Sequence, residues 1–276
     1  MAYAHHGDVR LYYDTCGDPS DPAVLLVSGL ARQCINYHDE FCQRLAAPGY
    51  FVVRFDNRDV GLSTKSSERT PPNAPYLLSD MARDALAVLD ELGVDAAHVW
   101  GASMGGMIAQ TMAIEHPGRL LTMTSMMSTT GDPDVGQPSP EALDVLRAPR
   151  PSDRESYVAQ RLAQDLVWGS PACHDEARLV EAAVEAFERN FHPEGVARQM
   201  MAISASGSRS SALARVSVAT LVVHGDCDTL IDVSGGRRTA EVIPGARFVL
   251  VPGLGHDYPP EYWDQLIALV HEHMGA

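Results

Sequence analysis

Nowhere in the 276 residues does an apolar run approach the roughly 18–20 residues that a membrane span requires. The opening stretch, Met1 to Arg10, has no basic-then-apolar leader pattern. Together these absences predict a cytoplasmic protein. Cysteine is scarce. Cys16, Cys34, Cys42, Cys173 and Cys227 are odd in number and scattered, with no C-x-x-C pair, so neither a disulfide framework nor a zinc site is indicated. They read as reduced thiols, and Cys227, lying between two acids, is the one to watch. Positive charge is also short: 21 Lys and Arg stand against 36 Asp and Glu, a formal net charge of −15. That balance repels polyphosphates and anionic lipid, so neither nucleic acid nor a membrane is expected as a partner. No repeat or low-complexity segment is present.

What remains is ordinary globular composition, 45% hydrophobic and 21% charged, enough for one large α/β domain or a core with an insertion. Gly7-Asp8 reads as a hairpin turn into residues 9–15. Short apolar runs at 24–28, 50–55, 97–102 and 120–128 predict buried strands, alternating with helices at 38–47, from Ser79 as cap to about Leu92, and at 104–116. Such alternation implies parallel pairing with right-handed crossovers. The rhythm breaks at Thr130–Pro151, which reads as linker. It gives way to helical signals alone at 155–167, 175–189 and 193–205, and resumes at Thr220 with two more strand–helix pairs. Residues 1–129 and 216–276 are therefore expected to form one core, with 130–215 as a helical cap over the active site.

The segment Trp100-Gly101-Ala102-Ser103-Met104-Gly105-Gly106 holds G-x-S-x-G between a predicted strand and a predicted helix. A turn that tight strains its central residue and lifts the Ser103 hydroxyl above the sheet edge. It also aims the Met104 N–H at any oxyanion formed beside it. A serine hydroxyl needs a base. Of eleven histidines only His256 sits in a short loop, Pro252 to Asp257, directly after a C-terminal strand, where an open parallel sheet builds its site. His98 and His224 fall within strands, where a buried, satisfied histidine is the commoner role, and His116 is placed as a helix cap. The base needs a carboxylate to orient it. Asp228, farther beyond the strand 221–224, is favoured; Asp226 more naturally braces the turn but stays a live alternative. A second oxyanion donor is expected from the Leu30 N–H, in the loop Ser28-Gly29-Leu30.

The order Ser103, Asp228, His256 and the elbow resemble the α/β-hydrolase superfamily over essentially the whole chain, particularly its cofactor-free esterase, perhydrolase and haloperoxidase-like branch. Within it, Phe55-Asp56-Asn57-Arg58-Asp59-Val60-Gly61-Leu62-Ser63 is similar to a loop of aclacinomycin methylesterase-like proteins. Two departures stand out: Ser28-Gly29 replaces the frequent His-Gly, and Asp59 stands where glycine is usual. Asp56 and Arg58 read as loop braces rather than catalysts. The resemblance implies a mostly parallel eight-stranded sheet flanked by helices with an inserted cap.

The expected function is hydrolysis of a carboxylic ester or lactone through an acyl-enzyme, needing neither metal nor organic cofactor. Met104, Met107, Met126 and Met127, with Trp168, Phe187, Met200 and Met201 from the cap, are candidate walls of a pocket for a bulky apolar substrate. Taken singly, each methionine reads equally well as core. The resemblance points toward a polyketide-type ester. Another reaction on the same three groups (perhydrolysis, carbon–carbon cleavage or ring formation) remains open, as does a receptor-like binder with little turnover.

Overall fold

The computed structural model describes residues 2–66 and 76–275. Strands β1 (Ala2–His6) and β2 (Val9–Cys16) form the hairpin expected at Gly7-Asp8, with His6 opposite Val9. The chain continues through β3 (Ala23–Val27), α1 (Asp39–Ala46), β4 (Phe51–Phe55), α2 (Leu78–Glu91), β5 (Ala97–Ala102), α3 (Met104–Glu115) and β6 (Leu120–Met126). Five helices follow before another strand forms: α4 (Pro140–Leu146), α5 (Arg154–Trp168), α6 (Glu176–Arg189), α7 (Pro193–Ser206) and the single turn α8 (Ser210–Leu213). The sheet resumes with β7 (Thr220–Gly225), α9 (Ser234–Val242), β8 (Arg247–Val251) and α10 (Pro260–Met274).

The eight strands lie in the order β1-β2-β4-β3-β5-β6-β7-β8, and every pairing from β4 to β8 is parallel. β2 joins β4 antiparallel. Strand alternation sends side chains to two cores. Leu25, Val27 and Val53 pack against α2 and α3 through Met81, Ala85, Leu89, Ile108 and Met112. Val24, Leu26 and Val52 pack against α1 and α10 through Phe41, Leu45, Trp263 and Leu266. Each large side chain so buried contributes about 1.5–3 kcal/mol. The central strands end along one edge, and the loops there carry Gly29, Ser103, Asp228 and His256.

Two local expectations need correction. Ser79 does not cap α2; it lies inside a helix that starts at Leu78. The entry is held instead by the Asp80 carboxylate, which accepts from the Leu77 N–H, and by Ser206 Oγ, which accepts from the Leu78 N–H. The stretch 130–151 is not all linker, because α4 forms there with Ser139 capping Ala142 N–H at 3.1 Å. Met200, on α7, is 36% exposed.

Candidate active site

The turn from β5 into α3 is built by its glycines. A Cβ on Gly101 would stand 2.1 Å from the Gly105 carbonyl oxygen, and one on Gly105 would stand 1.9 Å from that of Val27. Only glycine allows strand, helix and neighbouring strand to come so close. Between them Ser103 is forced to φ 57°, ψ −120°, a left-handed conformation costing on the order of 1–3 kcal/mol. The surrounding backbone fixes it, since Ser103 N–H donates to the Met126 carbonyl of β6 at 2.9 Å. Its carbonyl accepts from Ser128 Oγ at 2.8 Å.

The structure brings the three distant polar groups together. Ser103 Oγ lies 2.9 Å from His256 Nε2, and His256 Nδ1 lies 2.7 Å from Asp228 Oδ2. Asp228 and His256 are only 6% and 9% exposed, so the chain of bonds is largely shielded from water. Asp228 Oδ1 accepts from the Leu230 and Ile231 N–H groups, both at 2.9 Å. Burial pushes the Asp228 carboxyl up. The adjacent His256 and His224, through charge and hydrogen bonds, more than offset this and hold it well below the usual carboxylate range. Asp226 is elsewhere: its Oδ1 accepts from the Gly253 N–H at 2.7 Å and braces the turn before His256.

Beside Ser103 two backbone donors are uncommitted. Neither Leu30 N–H nor Met104 N–H donates to another group among the described residues. The Leu30 loop is a turn closed by Arg32 N–H to the Gly29 carbonyl, with Ala31 at φ 60° and its N–H bonded to Gln199 of α7 at 2.9 Å.

The helices inserted between β6 and β7 reach these same loops. The Trp168 carbonyl, at the end of α5, accepts from His256 N–H. Asp257 is bonded by both the backbone N–H and the hydroxyl of Ser170. Asp56 accepts from Arg189 at 2.8 Å, and Asp59 takes a two-pronged bond from Arg198 at 2.7 and 2.8 Å. Asp59 sits at φ 70°, where glycine is the easier residue, and the pairing to Arg198 and Tyr76 OH (2.8 Å) offsets that strain. Arg58 is a brace, paired to Asp84 at 2.5 Å.

Of the expected pocket residues, Trp168 is buried, and Phe187 packs in tilted contact with Phe191 and Tyr157 at ring separations of 4.6 and 5.9 Å. Met104 and Met107 lie in the core beneath α3, and Met126 is fully enclosed with Met127 in the core toward α1 and α10. The packing that encloses Met126 thus makes it core. His98 is satisfied, bonded to Thr122 at 2.9 Å. His224 departs from its expected role. Its Nδ1 is buried without a partner among the described residues, and its Nε2 lies 2.8 Å from the Ile231 carbonyl and 3.3 Å from Asp228 Oδ2. The signal was the spacing of four residues between His224 and Asp228 across a tight turn. Cys227 is partly exposed, and burial followed by the neighbouring Asp226 pushes its thiol up, away from the reactive thiolate. No group of three or more potential metal ligands occurs among the described residues.

Comparison with known proteins agrees with this architecture. The profile of the alpha/beta hydrolase fold matches residues 22–259. The chain belongs to the α/β hydrolase fold family. This hydrolase is 35% identical to a rhodomycin D methylesterase of Streptomyces sp. strain C5, and 34% to one of Streptomyces peucetius. Each match covers 98% of this chain and 96% of the relative. Among solved structures, a hydrolase from Pseudomonas aeruginosa PA01 superposes with a TM-score of 0.78 at 25% identity, covering all of this chain and 98% of the other. The enol-lactonase of Burkholderia xenovorans LB400 shares the fold with a TM-score of 0.80 at 23% identity, over the full length of both chains.

Proposed function

We propose that this hydrolase cleaves a carboxylic ester, including a lactone, through an acyl-enzyme on Ser103. The observation that carries the reading is the unbroken line from Ser103 Oγ through His256 to Asp228, at 2.9 and 2.7 Å, beside two uncommitted backbone amides. Similarity to two methylesterases over nearly the whole chain supports the ester as substrate class.

Ser103 Oγ attacks the ester carbonyl while its proton passes to His256 Nε2. Asp228, kept ionised, holds Nδ1–H and stabilises the imidazolium. The Leu30 and Met104 N–H groups receive the oxyanion, each worth about 3–4 kcal/mol in the transition state. His256 then returns its proton to the leaving alcohol, and the acyl group remains on Ser103. In the second half His256 takes a proton from water, the hydroxide adds to the acyl carbon, and Ser103 leaves with that proton as the acid departs. Each proton removed is returned, so no cofactor is called for.

The inserted helices act as a cap in this reading. They are tied to the core by Arg189–Asp56 and Arg198–Asp59 and carry the Tyr157, Phe187 and Phe191 cluster, which suits a bulky, ring-containing ester. Rapid mixing with p-nitrophenyl acetate tests the two-step course. One nitrophenolate per chain should appear in a burst, and acid-quenched protein should carry one acetyl group on Ser103. Turnover with neither burst nor acyl adduct would rule the two-step course out.

A further inference from the structure

Ala31 stands at φ 60°, in the left-handed region, without being a glycine. It is the third residue of the turn Gly29-Leu30-Ala31-Arg32, which Arg32 N–H closes onto the Gly29 carbonyl at 3.2 Å. A positive φ at that place marks a type II turn, where glycine is favoured; the usual alternative is type I, in which the middle peptide unit is turned over. The turn lies against the nucleophile. A Cβ on Gly29 would stand 3.1 Å from Ser103 Cβ and 3.6 Å from Ser103 Oγ. Leu30 offers its N–H beside Ser103 and its carbonyl to that middle peptide unit, so the unit cannot turn over without displacing the amide.

The chain is anchored on both sides of this turn. Asn57 Nδ2 donates to the Ser28 carbonyl at 2.9 Å, and Asp56 accepts from Cys34 N–H at 2.7 Å. Between those points, from Gly29 to Arg32, one hydrogen bond among the described residues leaves the turn for another element: Ala31 N–H to Gln199 Oε1 at 2.9 Å. The nitrogen of the same side chain, Nε2, donates to the Arg58 carbonyl at 2.9 Å. The two partners fix the orientation of the amide, because a backbone N–H can only donate and a carbonyl can only accept. Gln199 is 0% exposed, so water does not compete for either bond.

Gln199 is a fixed arm because α7 is seated on the loop after β4. Its neighbour Arg198 takes Asp59, itself at φ 70°, in the two-pronged bond, and a Cβ on Gly195 would stand 2.0 Å from the Asp59 carbonyl oxygen. Arg58, whose carbonyl Gln199 holds, is pinned in turn to Asp84 of α2. Consecutive residues of one helix therefore hold two of the four non-glycine residues at positive φ among the described residues, and Ser103 is a third. Backbone strained in this way persists only where its surroundings fix it.

We propose that Gln199 is a positioning residue for the Leu30 oxyanion donor. Its side-chain oxygen locks Ala31 in the left-handed conformation, and its side-chain nitrogen ties that lock to the Arg58 carbonyl. Helix α7 then serves the chemistry as well as the shape of the site, since it must be seated for the Leu30 N–H to face the reacting oxygen. This rests on the reading in which Leu30 and Met104 hold the oxyanion.

The test is the rate of fluorophosphonate labelling of the full-length protein, which reads the donor without requiring any ester to be a substrate, because the phosphonyl oxygen takes the place of the oxyanion. Gln199→Met fills a similar volume with neither donor nor acceptor. Its labelling rate and its kcat on p-nitrophenyl acetate should fall by about tenfold or more, since a group misplaced by about 1 Å costs on the order of 10² in rate. KM should change by less than about twofold, as for an interaction made only in the transition state. Adding Ala31→Gly to Gln199→Met should restore much of the lost rate, because glycine adopts φ 60° without strain. Should Gln199→Met not fold, Gln199→Asn, whose amide is one carbon too short to reach both partners, is held to the same outcomes. A folded variant that labels at the wild-type rate would overturn the proposal and leave the ester reading intact, as would a loss of rate that Ala31→Gly leaves untouched. Wild-type protein that labels but cleaves no ester would sink the ester reading, while slower labelling of Gln199→Met would still uphold the positioning role.

Discussion

His224 Nε2 lies 3.3 Å from Asp228 Oδ2, the oxygen that also holds His256 Nδ1. Because the Ile231 carbonyl 2.8 Å away can only accept, Nε2 carries a proton, which it donates to that carbonyl with the carboxylate close beside it. The opposite nitrogen, Nδ1, is buried where a Cβ on Gly236 would stand 2.5 Å from it, with no hydrogen-bond partner among the described residues. One carboxylate oxygen thus serves two imidazoles. His224 is a positioning residue for Asp228, and through it for His256.

Replacing His224 removes a polar contact at 3.3 Å to a buried carboxylate. His224→Phe should lower kcat on p-nitrophenyl acetate by roughly tenfold or more, with little change in KM, and should lower Tm by several degrees. His224→Gln, which can still donate, should recover part of the rate. A filler role alone would cost stability equally in both variants and leave kcat alone.

The two acids of the β7 turn have separable roles. Asp228→Asn keeps the shape but favours the wrong imidazole tautomer, so kcat should fall by about 10⁴. Asp226→Asn removes the charge that strengthens the bond from Gly253 N–H, and its effect should appear chiefly as a lower Tm. Steady-state rates and melting curves of the two variants, side by side, check the assignment. An active Asp228→Asn beside an inactive Asp226→Asn would exchange the roles.

Much of this site is legible in the amino-acid sequence because its determinants are local. Gly101, Ser103 and Gly105 specify an elbow within five residues. His256 is singled out by a short loop after a strand. The contacts that tie the helices to the core are invisible at that range: Asp59 and Arg198 are 139 residues apart, and neither has a neighbour that names the other. His224 was legible as a buried strand residue, but its partner became clear only once the turn folded Asp228 back onto it. Ser79 misled because a cap-forming side chain stood one residue inside the helix, while Asp80 did the capping from within.

Asp132 gives a stability test with a definite sign. Burial raises this carboxyl, but bonds from Ser208, Ser210 and Arg238 outweigh it and bring it down to about 2. A folded-state value below the unfolded one means that the stabilisation is complete above about pH 4 and is lost as pH falls toward 2. Asp132→Asn should therefore cost about 2 kcal/mol at pH 7 in urea unfolding. The gap between wild type and variant should close progressively between pH 4 and pH 2. A constant gap would assign the effect to packing instead of charge.

If the helices between β6 and β7 shape the substrate space, Phe187→Ala should change the ratio of kcat/KM for long and short acyl esters by about tenfold. Hydrolysis of p-nitrophenyl acetate should move far less. Rates that fall equally for all chain lengths would mean that the Phe187 cluster only stabilises the helices.

The central claim is that Ser103 is the one activated serine, and covalent labelling tests it most directly. A fluorophosphonate reacts rapidly only with a serine whose proton can pass to a base and whose oxyanion is held. Wild-type protein should take up one equivalent, found on the peptide containing Ser103. Ser103→Ala should take up none while unfolding at nearly the wild-type temperature, and His256→Ala should label at least a thousandfold more slowly. Rapid labelling that persists in folded Ser103→Ala protein would contradict the account at its root.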